Sequence, residues 1–182
     1  MLDEEEFDRW IRAAEDELEA GRVHTAARIH NSAVLHAELA VRLALRALLR
    51  GVGVTVRSHA LDGLADLCAE HAGLDVGSSL RDELTALGRD YHPTRYPDAV
   101  PEGTPRSNYT SADAERSLDL AARVATLVRG AGAALRQEAE ALLDETMTRR
   151  GDGDGYAPRG HRPPSSPPAR AHRPCPAVRR LT

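Results

Sequence analysis

The sequence predicts an all-α protein: an antiparallel up-and-down bundle of four to five helices with a disordered C-terminal tail. Three observations carry that prediction. Ala, Leu, Glu and Arg dominate while aromatic residues make up 3%, a palette of good helix formers and a poor one for strands. Two long stretches, roughly 23–50 and 110–145, keep apolar or small residues at helical spacing, the mark of helices that pack along their length. From Gly151 onward, seven prolines and several glycines in the last 32 residues leave little to pack, so that segment cannot offset its ordering entropy. A chain of 182 residues with 41% apolar content suffices for one core and hardly for two. The expected organisation is one helical domain over 1–150 and a Pro/Arg-rich tail over 151–182.

The first helix opens on Asp3, Glu4, Glu5 and Glu6, carboxylates suited to the positive end of a helix dipole. Phe7, Trp10, Ile11, Ala14 and Leu18 follow at helical spacing, and the helix is expected to end near Gly21. Phe7 and Trp10 read as core anchors in preference to a ligand platform. A second helix, from about Val23 to Arg50, is apolar or small on almost every azimuth and belongs in the middle of the bundle. Its polar stripe, Glu38, Arg42, Arg46 and Arg50 at four-residue steps, reads first as a solvated face and second as a phosphate contact. Gly51-Val52-Gly53 should stop it. Ser58 is placed as the N-cap of a third helix carrying Leu61, Leu64, Ala65, Leu67 and Cys68 and closing near Gly73. Ser78 or Ser79 is placed as the cap of a fourth, with Leu80, Leu84 and Leu87 facing the core. Thr110-Ser111-Ala112-Asp113 has the pattern of a capping box and should start the last helix. Its stripe runs from Leu118 to Leu142, with a bend credible at Gly130 and Gly132.

Charge and cysteine usage narrow the function. The formal net charge is −4, and the tail holds six Arg against two Asp, which leaves about −8 on the first 150 residues. Nonspecific binding of duplex nucleic acid is therefore disfavoured. Cys68 and Cys175 have no spacing that resembles a metal pair or disulfide framework, so no metal ligands and no cofactor are expected. Residues 1–15 lack an apolar signal region, and no window has the roughly 18–20 consecutive apolar residues of a membrane span. The expected location is cytoplasmic, with no membrane partner.

One segment is too specific to be a mere connector: Tyr91-His92-Pro93-Thr94-Arg95-Tyr96-Pro97-Asp98. Two prolines predict that Thr94 to Pro97 form a stiff, exposed loop presenting Arg95, Tyr96 and Asp98.

Taken together, five blocks resemble the HEPN domain family: an acidic first helix, His36-Ala37-Glu38-Leu39-Ala40 with Arg46-Ala47-Leu48-Leu49, then Ser58-His59-Ala60-Leu61, Thr94-Arg95-Tyr96-Pro97-Asp98, and Tyr109-Thr110. They match in order and spacing over about residues 3 to 130. The resemblance implies an antiparallel bundle, commonly a homodimer and often paired with a small nucleotidyltransferase-type protein in toxin–antitoxin modules. Several branches of the family are metal-independent ribonucleases that use an Arg, four to six residues, then a His. No histidine of this sequence has an arginine five to seven positions before it. Arg57-Ser58-His59 and Arg89-Asp90-Tyr91-His92 are the near misses.

Two functional readings follow. The first is a non-catalytic binding module for a nucleotide, nucleic acid or partner protein, using Arg95, Tyr96, His59, Asp98 and Arg46, with no catalytic set assigned. The second is a ribonuclease toxin with a relocated pair, Arg95 with His59 or His92. A structural role is the alternative to both: Arg95 paired with a bundle carboxylate, Asp98 capping a turn, His59 satisfying a backbone group.

Overall fold

A computed structural model describes residues 2–151. Among them are five α-helices, two short 3-10 segments and no strand. The part of the predicted tail at 152–182 lies outside the described residues.

Helix α1, Glu4–Ala26, is capped by Asp3, whose carboxylate accepts from the Glu6 N–H at 3.1 Å. It buries Phe7, Ile11, Ala14 and Leu18, as the spacing predicts, and it runs past Gly21. Gly21 is a close-approach residue: a Cβ there would sit 2.6 Å from the Leu118 side chain. The turn falls instead at Arg28, in the left-handed region with φ 57°. Helix α2 is therefore His30–Gly51, shorter at its start than the pattern suggests. It packs against α1, α3 and α5, the central place expected of a helix apolar on nearly all sides. An Asp3 N–H to Gly51 carbonyl bond of 2.6 Å ties the start of α1 to the end of α2 and sets their antiparallel pairing.

An extended segment, 54–60, leads to α3, Leu61–Ala72, which Gly73 terminates at φ 67°. Ser58 does not cap this helix; its Oγ accepts from the Ala60 N–H at 3.3 Å, which leaves His59 exposed ahead of the first turn. Helix α4, Gly77–Arg89, starts one residue before the serines placed as its cap, with Asp75 holding the Gly77 N–H at 2.8 Å. Leu80, Leu84 and Leu87 face the core.

Helix α5, Ser111–Gly151, begins where the capping box predicts: Thr110 accepts from the Asp113 N–H at 3.3 Å and Asp113 accepts from the Thr110 N–H at 2.8 Å. It does not break at its glycines. A Cβ on Gly132 would stand 2.5 Å from the Phe7 ring, whereas Gly130 faces open space. Gly132 thus lets α1 and α5 approach, and Arg136, bonded to Asp8 at 2.6 Å, and Arg129, paired with Glu15, hold the same seam.

Candidate functional site

The predicted loop is partly helical in its bonding. Thr94 donates its N–H to the Asp90 carbonyl at 3.1 Å, and its hydroxyl bonds the same oxygen at 2.8 Å. The chain thus makes one further turn after α4, with Pro93 at a position that needs no donor. Thr94 is buried, with 2% of its surface exposed, which corrects its placement on an exposed loop. Its carbonyl accepts from the Asn31 side chain at 3.0 Å, so the octet is pinned to the start of α2. Arg95, Tyr96 and Asp98 are exposed as expected.

Pinning the octet on α2 brings Tyr91 and Arg95 over the polar stripe. Glu38 and Arg42, read as half of a solvated face, are instead 1% and 6% exposed and paired to each other. The Arg42 guanidinium also meets His59 Nδ1 at 3.3 Å and lies 4.5 Å from the Tyr91 ring centre. The same ring carries the cluster's second cation. The Arg95 guanidinium is 3.8 Å from the Tyr91 ring centre and 5.3 Å from that of Tyr96, and its Nε donates to the Tyr91 carbonyl at 3.2 Å. These distances are in the range of cation–π attraction. One turn along α2, Arg46 donates to the Ser58 carbonyl at 2.8 Å.

The electrostatics follow from this packing. Burial pushes the Glu38 carboxyl above its usual range, opposed by Arg42 and, more distantly, by Arg95 and Arg46. Bonding to the Arg95 and Arg42 guanidiniums holds the Tyr91 phenol below the usual tyrosine range. Burial, then repulsion from Arg42 and Arg50, lowers Arg46. Three buried polar atoms here, Glu38 Oε2, Arg42 Nε and Arg46 Nε, have no hydrogen-bond partner among the described residues.

Of the residues singled out from sequence, the structure brings Arg95, Tyr96, Arg46 and His59 to one region around Tyr91. Asp98 is exposed in the 3-10 segment Pro97–Ala99, two residues past Tyr96. Among the described residues no direct contact joins Arg95 to either histidine, although His92 and Arg95 share the Tyr91 and Tyr96 rings. His59 faces Arg42, and His92 packs against the Tyr91 and Tyr96 rings at 5.4 and 5.8 Å. Sequence reasoning assigned Tyr91 no role of its own and read Glu38 and Arg42 first as a solvated face and only second as a phosphate contact. The available signal was a charged pair at four-residue spacing on a helix otherwise apolar all round, which a central position forces inward.

A cavity of about 590 Å³ lies between α4, the 93–109 connector and α5, with Asp90, Tyr109, Asp113 and Arg116 among its lining. Its polar groups answer one another: Tyr109 donates to Asp90 at 2.9 Å, and Asp113 serves Thr110 and Arg116. Among the described residues no three His, Cys, Asp or Glu side chains gather as a metal-binding group, and no helix is long and apolar enough to cross a membrane.

A five-helix bundle displaying an arginine–tyrosine cluster where the loop after α4 is pinned to a central helix defines the class. The HEPN domain matches residues 7–131, and the chain belongs to the HEPN domain family. Solved structures agree. The crystal structure of TT1696 from Thermus thermophilus is similar with a TM-score of 0.64 and 29% identity, covering 69% of this chain and 97% of that one. ST0689, described as an archaeal HEPN homologue, is similar with a TM-score of 0.56 and 28% identity, covering 68% and 95%. No curated protein matches at a significant level.

Proposed function

We propose that the bundle is a non-catalytic binding module that holds a nucleotide or nucleic-acid phosphate at Arg95, with the base stacked on Tyr96 and Arg46 and His59 bordering the same site. The observation that carries this reading is the state of Arg95. Its guanidinium is fixed by Tyr91, both over the ring and at the carbonyl. It has no carboxylate within ion-pair distance among the described residues, although the body is acidic. A fixed, charged fork beside an exposed aromatic ring is suited to a phosphate joined to a planar group. Orphaned Arg46 Nε and Glu38 Oε2 add buried polar atoms that a bound molecule or water would satisfy.

The ribonuclease alternative needs a cation on the scissile phosphate and an imidazole on the 2′-hydroxyl proton. An Arg–His contact does exist, between Arg42 and His59, but that arginine is buried and committed to Glu38 and Tyr91. Binding by Arg95 requires no such pair. We further propose a nucleotidyltransferase-type protein, which handles nucleotides itself, as partner, and self-association of the bundle.

Calorimetric titration of the purified full chain with a nucleoside triphosphate tests the reading. Wild type binds, and Arg95→Ala weakens binding about 10- to 100-fold, the loss of one charge-assisted contact of ~1.5–3 kcal/mol. His59→Ala has a smaller effect. RNA incubated with the wild type in excess EDTA stays intact. Metal-independent cleavage lost in folded Arg95→Ala and His59→Ala variants would establish the ribonuclease reading instead.

A further inference from the structure

The Arg95 site is one end of a longer cationic feature. Many arginines of the bundle are neutralised: Arg9 pairs with Glu6, Arg81 with Asp66, Arg123 with Glu83, and Arg136 with Asp8 and Glu4, whereas Arg12, Arg28, Arg89 and Arg106 meet no carboxylate among the described residues and are scattered over α1, the α1–α2 turn, α4 and the second 3-10 segment. With 28 acidic residues in the chain, a surface arginine readily meets a carboxylate. Arg46, Arg50, Arg57 and Arg95 meet none within ion-pair distance among the described residues.

They are also ordered in space. Arg46 and Arg50 stand on α2 one turn apart, hence on one face. Arg46 donates to the Ser58 carbonyl at 2.8 Å, and Arg50 donates to the Thr55 hydroxyl at 3.0 Å while its guanidinium lies 5.2 Å from the Trp10 ring centre. Both oxygens belong to the extended segment 54–60, which therefore runs alongside α2, and Arg57 is exposed on that same segment. Each of the two helix arginines is held in place by a neutral group and keeps its charge uncompensated. Arranging several uncompensated cations together costs free energy through repulsion, and a polyanion removes that cost.

We propose that Arg95, Arg46, Arg50 and Arg57 form one track for single-stranded nucleic acid, in which the nucleotide site at Arg95 is the terminal subsite. The inference rests on the nucleotide reading of that site and extends it. The stretch of α2 from Arg42, beneath Tyr91, to Arg50 rises ~12 Å along the helix, which corresponds to about three or four nucleotides at ~3.4 Å per stacked step. A single strand fits better than a duplex for two reasons. The acidic body flanking a narrow track repels the second strand, and both ends offer planar groups for unpaired bases: Tyr96, 47% exposed, and the Arg50 guanidinium backed by Trp10.

Fluorescence anisotropy of the full chain with labelled oligouridylates and oligodeoxythymidylates of increasing length, at several salt concentrations, tests this. Affinity is expected to rise from the mononucleotide to about four nucleotides and then level off, with the two series reporting whether the 2′-hydroxyl contributes. Arg50→Ala and Arg57→Ala should each flatten the slope of log affinity against log salt by about 0.7. Arg57 is exposed and outside the core, so its variant guards against misfolding of the Arg50 variant. Arg12→Glu, a surface change on α1, should not alter the slope. Mononucleotide binding with no gain on lengthening overturns the track while leaving the Arg95 site standing. Inorganic tripolyphosphate competing as well as an oligonucleotide of equal charge overturns the nucleic-acid assignment. Failure to bind a mononucleotide at all sinks the site reading itself.

Discussion

Glu38 and Arg42 form a buried pair beneath Tyr91, and the consequences of removing one partner differ from those of neutralising it. Glu38→Ala leaves the Arg42 guanidinium enclosed without its carboxylate, a change that costs ~3–5 kcal/mol in comparable buried pairs. Urea unfolding should show that loss, and a shift near zero would mean that Arg42 turns outward. Glu38→Gln keeps the shape and a hydrogen-bond acceptor, so the loss should be smaller. The pH dependence has a definite sign. Burial raises the Glu38 carboxyl above the ordinary 4.5, so the folded state keeps its proton to higher pH than the unfolded state. This group therefore makes stability fall as pH rises from about 4.5 towards its raised folded value. Unfolding midpoints across that window should fall less steeply in Glu38→Gln than in wild type.

Gly130 and Gly132 on α5 make a sharper test of how the helices meet. Gly130 faces open space, so Gly130→Ala should add the ordinary helix gain, ~0.5–1 kcal/mol. At Gly132 the same methyl would stand 2.5 Å from the Phe7 ring. Overpacking of this kind costs ~1–3 kcal/mol and exceeds the helix gain. The two variants should move the melting temperature in opposite directions. Movement in the same direction would show that Phe7 repacks freely and that the α1–α5 seam is looser than described.

Considered as a whole molecule, the bundle is outrun by its last helix. Helix α5 has 41 residues against 22 for α2, and past Arg136 it borders little more than Leu2 and Val52. Leu142, Leu143 and Met147 are 64%, 62% and 69% exposed there. We attribute this extension to the proposed self-association, because a second copy would cover apolar side chains that the rest of the bundle leaves exposed. Sedimentation of the wild type at tens of micromolar should show a dimer, and the double variant Leu142→Glu, Leu143→Glu should shift it to monomer. A monomeric wild type, or a double variant that stays dimeric, would remove the extension from the interface.

Much of this protein was determined by local sequence. Capping chemistry at Asp3, Gly73 and Thr110–Asp113, the spacing of Leu80, Leu84 and Leu87, and the all-round apolar character of α2 specify helices and the central member of the bundle, because each depends only on residues within a turn or two. The exposed Arg95–Tyr96 pair was legible for the same reason: prolines act on their immediate neighbours. What needed the tertiary structure were the contacts between distant segments. Gly21 and Gly132 read as breaks when they are points of close approach, since the Leu118 and Phe7 side chains that require them lie far off in sequence. The solvated face assigned to Glu38 and Arg42 became a buried pair because the octet, pinned by Asn31 to Thr94, covers that side of α2. No periodicity within one helix records which other segment will lie upon it.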